Sequence, residues 1–153
     1  MLKKIVFLFG ILSLSTISYA DEAGNTMYNP KALGILSGTS SKSISGVIDY
    51  EGDKDWFVID YYGEGDLTFS TSSNIDTYGG IHVYENVSIY NPTSTVGATE
   101  VYRRYNDDGG DTLNFKLTHT AELVSHFTRY FILVAYNEND GTGNYTLNIQ
   151  ATE

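Results

Sequence analysis

Beyond residue 20, apolar and polar residues alternate with a period of two along most of the chain. This period is typical of strands with one buried face, and no segment sustains the three-to-four spacing of an amphipathic helix. Clusters of glycine, asparagine and aspartate separate the alternating segments, and such clusters are typical of tight turns. The pattern therefore predicts an all-β protein with eight strands at 43–48, 56–61, 66–71, 80–85, 100–105, 112–118, 129–136 and 144–150.

One alternating set of side chains in each strand should face the interior, because neighbouring residues of a strand point to opposite sides of the sheet. Eight short strands separated by turn residues are typical of two antiparallel sheets packed as a sandwich. The predicted core is Phe57, Ile59, Tyr61, Leu67, Phe69, Ile81, Val83, Leu113, Phe115, Leu117, Ile132, Val134, Leu147 and Ile149.

The first twenty residues have the pattern of a secretory signal peptide. Lys3 and Lys4 precede an apolar run at 5–14, and Ser18-Tyr19-Ala20 offers small residues around a cleavage point. A membrane anchor is the alternative, but the run of about ten residues is half the length that a bilayer crossing needs. We therefore predict a cleaved signal peptide at 1–20, a single domain at 21–153, and a secreted or periplasmic protein without membrane insertion.

The predicted mature chain is strongly acidic. Removal of Lys3 and Lys4 leaves seven of the nine basic residues and all nineteen acidic residues, which gives a net charge of −12. This charge argues against nucleic acid or an anionic membrane surface as a partner, and it could attract cations or basic peptides. The chain has no cysteine, so stability must come from sheet packing, assisted or not by a bound ion.

Several short motifs occur in the order found in bacterial pre-peptidase C-terminal domains. They include Asp-Glu-Ala-Gly-Asn-Thr at 21–26, Gly-Asp-Lys-Asp-Trp-Phe at 52–57 and Gly-Asn-Tyr-Thr-Leu at 143–147. The chain resembles that family over almost its whole predicted mature length. The resemblance implies an antiparallel jelly-roll-like β-sandwich, a module often attached to secreted proteases and similar to the collagen-binding domains of clostridial collagenases.

The same resemblance implies a calcium site between the acidic N-terminal segment and the carboxylates before the aromatic pair. The residues at those positions are Glu22, Asn25, Asp53 and Asp55. Calcium takes six to eight oxygen ligands, and two carboxylates two positions apart in a turn can converge on one ion. The alternative is that Asp53 and Asp55 are turn residues that cap backbone amides.

Thirteen tyrosines are many for a chain of this length. Tyr84, Tyr102 and Tyr136 lie in predicted strands, where outward rings could stack on sugars or on the prolines of an extended peptide. We therefore name these three as candidate ligand-binding residues. The alternative is that they fill sheet faces, since tyrosine pairs well across strands.

The sequence contains no motif of a known catalytic site. It has three histidines, with neither a His-Glu-x-x-His zinc motif nor a Gly-x-Ser-x-Gly nucleophile elbow. We therefore expect a non-enzymatic binding or stabilising module, calcium-assisted, that engages a protein or polysaccharide polymer. The alternatives are an accessory subunit of a separately encoded secreted protease or surface complex, and a small hydrolase.

Overall fold

The computed structural model describes residues 23–88, 90–91, 93–106, 114–122, 126–137 and 141–152. These residues form nine strands and no helix. The strands are β1 (Lys31–Ser37), β2 (Ser41–Ile48), β3 (Lys54–Tyr62), β4 (Gly65–Ser73), β5 (Thr77–Glu85), β6 (Thr99–Asn106), β7 (Lys116–Ala121), β8 (Thr128–Tyr136) and β9 (Gly143–Thr152). None of the described segments forms a helix that could cross a bilayer.

The strands form two sheets that pack face to face. One sheet has five strands in the order β1-β3-β8-β5-β6, and the other has four in the order β2-β9-β4-β7. Every pairing is antiparallel except that of β1 with β3, which is parallel. The predicted all-β sandwich is confirmed.

The core lies between the two sheets and includes the alternating positions predicted from the sequence. Phe57, Leu67, Phe69, Ile132 and Leu147 are fully buried, and the other predicted core residues that the structure describes are also buried. The predicted burial of Leu113 is not tested, because this residue lies outside the described residues. Period-two burial therefore accounts for the interior of the sandwich.

The strand pattern differs from the prediction in two places. β1 was not predicted, because its burial is irregular: only Leu33 and Leu36 are buried in Lys31–Ser37. A register shift between Ala32 and Ile35 interrupts its pairing with β3, and Gly34 has a φ of 84° there. The strand predicted at 112–118 corresponds to β7, which runs from Lys116 to Ala121, while residues 112–113 lie outside the described residues.

The outer side of the five-stranded sheet is partly covered, unlike that of the four-stranded sheet. Both faces of β8 are buried from Thr128 to Ala135. The N-terminal segment extends the edge of this sheet beside β3, where the backbone of Gly24 pairs with that of Trp56 through two hydrogen bonds of 3.2 and 2.6 Å. The connection between β5 and β6 lies over this sheet, as its contacts with Arg129 show.

Candidate functional site

A cluster of aromatic and charged side chains lies on the outer side of β5 and β6, where the cover of the five-stranded sheet ends. The β5–β6 register places Gly80 opposite Tyr105, His82 opposite Arg103 and Tyr84 opposite Glu100. Period-two alternation then puts these side chains on one face. We call the cluster the aromatic face, and its members are Trp56, Tyr78, His82, Tyr84, Glu100, Arg103 and Tyr105.

His82 is the centre of this face. Its side chain is buried; Nε2 lies 2.5 Å from the Tyr105 hydroxyl, and Nδ1 lies 3.3 Å from Glu100 Oε1. Burial lowers the pKa of His82, and the charge of Arg103 lowers it further, so the ring is neutral at pH 7. Nδ1 makes no hydrogen bond to the described residues, so its contact with Glu100 is electrostatic. The ring is held by the hydrogen bond between Nε2 and the Tyr105 hydroxyl, whose donor depends on the tautomer.

Glu100 connects the histidine to the solvent-exposed part of the face. Arg103 donates to both of its carboxylate oxygens, from Nε and Nη2, each at 2.8 Å. These hydrogen bonds are the main reason that the pKa of Glu100 is lowered. The carboxylate is therefore ionised at neutral pH, and the two hydrogen bonds from Arg103 hold it in one orientation.

The Tyr105 ring lies flat over β5 and forms a stacked pair with Tyr78. The two ring centroids are 5.9 Å apart and the ring planes differ by 8°. Gly80 makes this possible, since a Cβ atom there would lie 2.3 Å from the Tyr105 ring. Tyr105 is 41% exposed, so its ring offers an aromatic surface to solvent. Such a surface can stack on a sugar ring or on a proline.

Trp56 borders the face on the side of β3. Its ring meets the His82 ring edge-on, with centroids 5.6 Å apart and planes at 73°. The Tyr105 ring approaches His82 from another side, also edge-on, at 5.5 Å. Edge-to-face contacts of this kind add stability beyond the buried area. The histidine is thus fixed by two aromatic rings and two polar contacts.

Of the three tyrosines proposed as ligand-binding residues, only Tyr84 lies on the aromatic face. Tyr102 and Tyr136 are half-buried and pack against the core cluster on the opposite side of the sheet. Tyr102 lies opposite Val83 in the β5–β6 register, and Tyr136 lies opposite Thr77, which is fully buried. The expectation that all three rings point outward is therefore corrected for Tyr102 and Tyr136.

The residues proposed for calcium are brought together in part. The Gly24–Trp56 pairing runs antiparallel, so it places Asn25 and Asp55 in neighbouring positions of the two segments. Glu22 lies outside the described residues. Asp53 and Asp55 are both buried, at 5% and 3% exposure.

The contacts of the two carboxylates are those of structural residues. Asp53 accepts the backbone N–H groups of Asp49 and Lys54, both at 2.8 Å, and so closes the turn before β3. Asp55 accepts the hydroxyl of Tyr145 at 2.5 Å. Within the described part of the chain, no three histidine, aspartate or glutamate side chains lie close enough to hold a metal ion. Because Glu22 is not among those residues, calcium binding stays a prediction.

Arg129 anchors the connection between β5 and β6, and this anchoring was not predicted from the sequence. The guanidinium forms a two-bond ion pair with Asp60, at 2.6 and 2.8 Å. It also donates to the carbonyl oxygens of Ser88, Asn91 and Ser94, at 3.1, 2.8 and 2.7 Å. A buried cation thus fixes three points of this connection, whose side chains Tyr90 and Val96 are 94% and 88% exposed.

The sequence carries only weak signals for these features. Asp60 and Arg129 interrupt apolar strand segments, and a charge in such a position indicates a buried pair or a site. His82 is separated from both Glu100 and Tyr105 by the long connection between β5 and β6. Their meeting depends on the β5–β6 register, which includes a shift between Val83 and Tyr84 that no local motif indicates.

Comparison with known proteins identifies no family for this chain. No family model matches it, and no curated protein matches it. Solved structures with a similar fold include the pre-peptidase C-terminal domain of a Bacillus anthracis collagenase, the family named from the sequence. That domain is 15% identical, with a TM-score of 0.45, over 78% of this chain and 95% of the domain.

Two further similar structures come from other bacteria. PliG of Aeromonas hydrophila, a periplasmic inhibitor of g-type lysozyme, is 13% identical with a TM-score of 0.44, over 80% of this chain and 98% of its own. CorA, a surface-associated copper-binding protein of Methylomicrobium album BG8, is 8% identical with a TM-score of 0.47, over 80% and 99%. At these identities and scores, the similarities assign neither a family nor a ligand to this chain.

Proposed function

We propose that this protein is an exported, non-catalytic binding module that engages an extracellular or periplasmic polymer through its aromatic face. The observation that carries the proposal is the exposed Tyr105 ring, stacked on Tyr78 and held by the buried His82. Export is supported by the signal-peptide pattern at 1–20. Calcium assistance at the N-terminal segment is part of the proposal in the form that the resemblance implies.

The ring of Tyr105 is held in one orientation in the unbound protein, which supports a role in ligand binding. A ring that is free in the unbound protein loses rotational freedom when a ligand stacks on it, and that loss weakens binding. Here the hydrogen bond to His82 and the stacking on Tyr78 fix the ring before any ligand arrives. The ionised Glu100 can accept hydrogen bonds from a ligand. The half-exposed Arg103 beside it can donate hydrogen bonds to the same ligand.

Retention on insoluble polymers tests this proposal. The mature protein is incubated with fibrous collagen, chitin and cellulose, and the free fraction is measured over a range of polymer concentrations. We expect binding to one of the three. Replacing Tyr105 by alanine should weaken it about tenfold, the equivalent of one aromatic stacking contact of about 1.4 kcal/mol.

Tyr62→Ala is the matched control, since Tyr62 is also a half-exposed aromatic residue on this sheet and lies at the far end of β3 from Trp56. Its removal should leave retention unchanged. If the protein binds none of the polymers, or if Tyr105→Ala binds as well as the unmodified protein, the aromatic face is not the binding site.

An accessory subunit of a separately encoded secreted enzyme is a second candidate, favoured by a different observation. Tyr90 and Val96 are almost fully exposed on a connection whose backbone is fixed by Arg129, and Tyr28 is 92% exposed on the N-terminal segment. Exposed apolar side chains on a fixed backbone are typical of protein contacts. Pull-down from the culture medium of the source bacterium should then recover one defined protein. Tyr90→Ala should lose that protein, whereas Tyr105→Ala should keep it.

A further inference from the structure

The stacked rings of Tyr78 and Tyr105 connect the edge strand β6 to its neighbour β5. β6 is the outermost strand of the five-stranded sheet, and all eight of its residues are exposed or half-exposed. Its pairing with β5 shifts register between Val83 and Tyr84. The chain has no cysteine, so no disulfide can join the two strands. Two phenol rings in contact are another pair of side chains that oxidation can join covalently.

The β5–β6 register brings the two rings together. Tyr105 lies opposite Gly80, and Tyr78 is two positions from Gly80 on the same face of β5. The Tyr105 ring occupies the space above Gly80, where a Cβ atom would lie 2.3 Å from it. The ring planes differ by 8° and the centroids are 5.9 Å apart, a spacing typical of offset stacking. A small movement of the exposed Tyr105 ring therefore brings the edges of the two rings into contact.

His82 provides a proton acceptor for the hydroxyl of Tyr105. A phenol that loses one electron becomes a strong acid, so oxidation is easier when a base takes the proton at the same time. Nε2 of the buried His82 lies 2.5 Å from the hydroxyl oxygen. The neutral ring accepts this proton in the tautomer that carries its hydrogen on Nδ1.

The charges around His82 determine what happens to that proton. The Glu100 carboxylate lies 3.3 Å from Nδ1 and stabilises the positive charge of the imidazolium when it forms. Burial and the charge of Arg103 act in the opposite direction and lower the pKa of His82. His82 therefore accepts the proton from the oxidised phenol, which is a much stronger acid, and then releases it to solvent.

We propose that Tyr78 and Tyr105 are the site of a dityrosine cross-link, formed by a haem peroxidase with hydrogen peroxide, and that His82 is the proton acceptor for Tyr105. Each phenol loses one electron and its hydroxyl proton, and a bond forms between the ring carbons ortho to the two oxygens. The hydrogen on each of these carbons then moves to the oxygen and restores the hydroxyl. Two electrons and two protons reduce one peroxide to two waters, so the protein loses two hydrogen atoms.

Exposure alone predicts that other tyrosines react first. Tyr28 and Tyr90 are 92% and 94% exposed and Tyr62 is 50% exposed, whereas Tyr105 is 41% exposed. Preferential reaction at Tyr105 would therefore result from its hydrogen bond to His82 and from the second phenol beside it. The bond closes a loop that contains the long β5–β6 connection, and cross-links of this kind stabilise a protein by restricting its unfolded chain.

Oxidation of the dilute mature protein by a haem peroxidase with limiting peroxide tests the proposal. We expect dityrosine fluorescence in the monomeric fraction and an intact mass lower by two hydrogen atoms. Peptide mass spectrometry should find residues 78 and 105 in one cross-linked product. The cross-linked monomer should melt at a higher temperature than the untreated protein.

Three substitutions locate the reaction. Tyr78→Phe keeps a ring beside Tyr105 and should abolish the cross-link, whereas the matched control Tyr62→Phe should keep it. His82→Phe keeps an aromatic ring next to Trp56 but removes Nε2. It should slow cross-linking about fivefold, the rate equivalent of one hydrogen bond of about 1 kcal/mol.

The melting temperature of His82→Phe shows whether that variant is folded, and the mapped cross-link in the unmodified protein identifies the site independently of it. Absence of dityrosine, or a cross-link that joins other tyrosines, overturns the proposal. A folded His82→Phe variant that cross-links at the original rate also overturns it, since His82 then has no part in the reaction.

Discussion

Arg129 and Asp60 form a two-bond ion pair beneath the β5–β6 connection, and the arginine side chain has no exposed surface. A buried guanidinium needs partners for all of its N–H groups. Asp60 supplies two acceptors and three backbone carbonyls of the connection supply the others. The ion pair joins β3 to β8, and through Arg129 it also holds the backbone of the exposed β5–β6 connection in place.

Replacing Arg129 by methionine should destabilise the protein by about 3–5 kcal/mol, because Asp60 is left as a buried charge without its cation. The measurement is the free energy of unfolding in urea. Arg104→Met removes an exposed arginine and should change that free energy by less than about 0.5 kcal/mol.

The same substitution should release the connection. Amide hydrogen exchange in 86–98 should accelerate by more than global unfolding explains, since three carbonyl anchors are lost together. Replacing Asp60 by leucine in the Arg129→Met variant should recover part of the stability and none of the exchange protection. An Arg129→Met protein as stable as the original would show that the ion pair contributes little.

The sequence was sufficient to predict the sandwich because its core depends on period-two burial, which local residue patterns record. Phe57, Leu67 and Ile132 are buried where that pattern places them. β1 was missed because an edge strand with a bulge needs few buried residues, and only Leu33 and Leu36 supply them. An edge strand in parallel pairing has no hairpin turn to signal it either.

The candidate site was predicted only in part, for a related reason. Tyr136 shares the even-numbered face of Ile132 and Val134, so strand parity alone already indicates that its ring points to the core. Tyr102 required knowledge of the β5–β6 register, which the shift after Val83 sets. The cluster around His82 combines residues from three strands, and single-strand patterns do not record which strands are neighbours.

Tyr145→Phe should destabilise the protein by about 1–3 kcal/mol, because Asp55 is buried and loses the hydroxyl that donates to it at 2.5 Å. Thermal and urea unfolding both measure this loss. Tyr62→Phe removes a hydroxyl from a half-exposed ring and should have little effect. Equal stability of the two variants would show that the hydroxyl of Tyr145 does not support Asp55.

Calcium should raise the melting temperature of the mature protein, and EDTA should lower it, if Glu22, Asn25, Asp53 and Asp55 bind the ion that the resemblance implies. At a free calcium concentration about one hundred times the dissociation constant, the gain is about 2.7 kcal/mol. The readout is the difference between calcium and EDTA, since Asp53 also closes a turn without metal.

Two substitutions locate that effect. Asp55→Asn should abolish the calcium-dependent difference, whereas Asp66→Asn should keep it, because Asp66 is exposed on β4 and bonded to Thr120. Equal melting temperatures of the unmodified protein in calcium and in EDTA would remove the metal from the proposed function.

Stability should fall as the pH decreases from about 7.5 to about 5.5, because burial lowers the pKa of both His82 and His119 in the folded protein. The unfolded chain, with an ordinary histidine pKa of about 6.5, then binds more protons than the folded one, and stability rises with pH. The groups around His82 are Glu100, Arg103 and Tyr105.

The surroundings of His119 are different. Its Nδ1 lies 3.1 Å from the hydroxyl of the fully buried Tyr130, with the Tyr102 ring beside it and the charges of Glu85 and Asp66 raising its pKa against the effect of burial. Urea unfolding at pH 5.5, 6.5 and 7.5 measures the slope. His82→Gln and His119→Gln should each flatten it. A slope that survives both substitutions would assign the acid sensitivity to carboxylates instead.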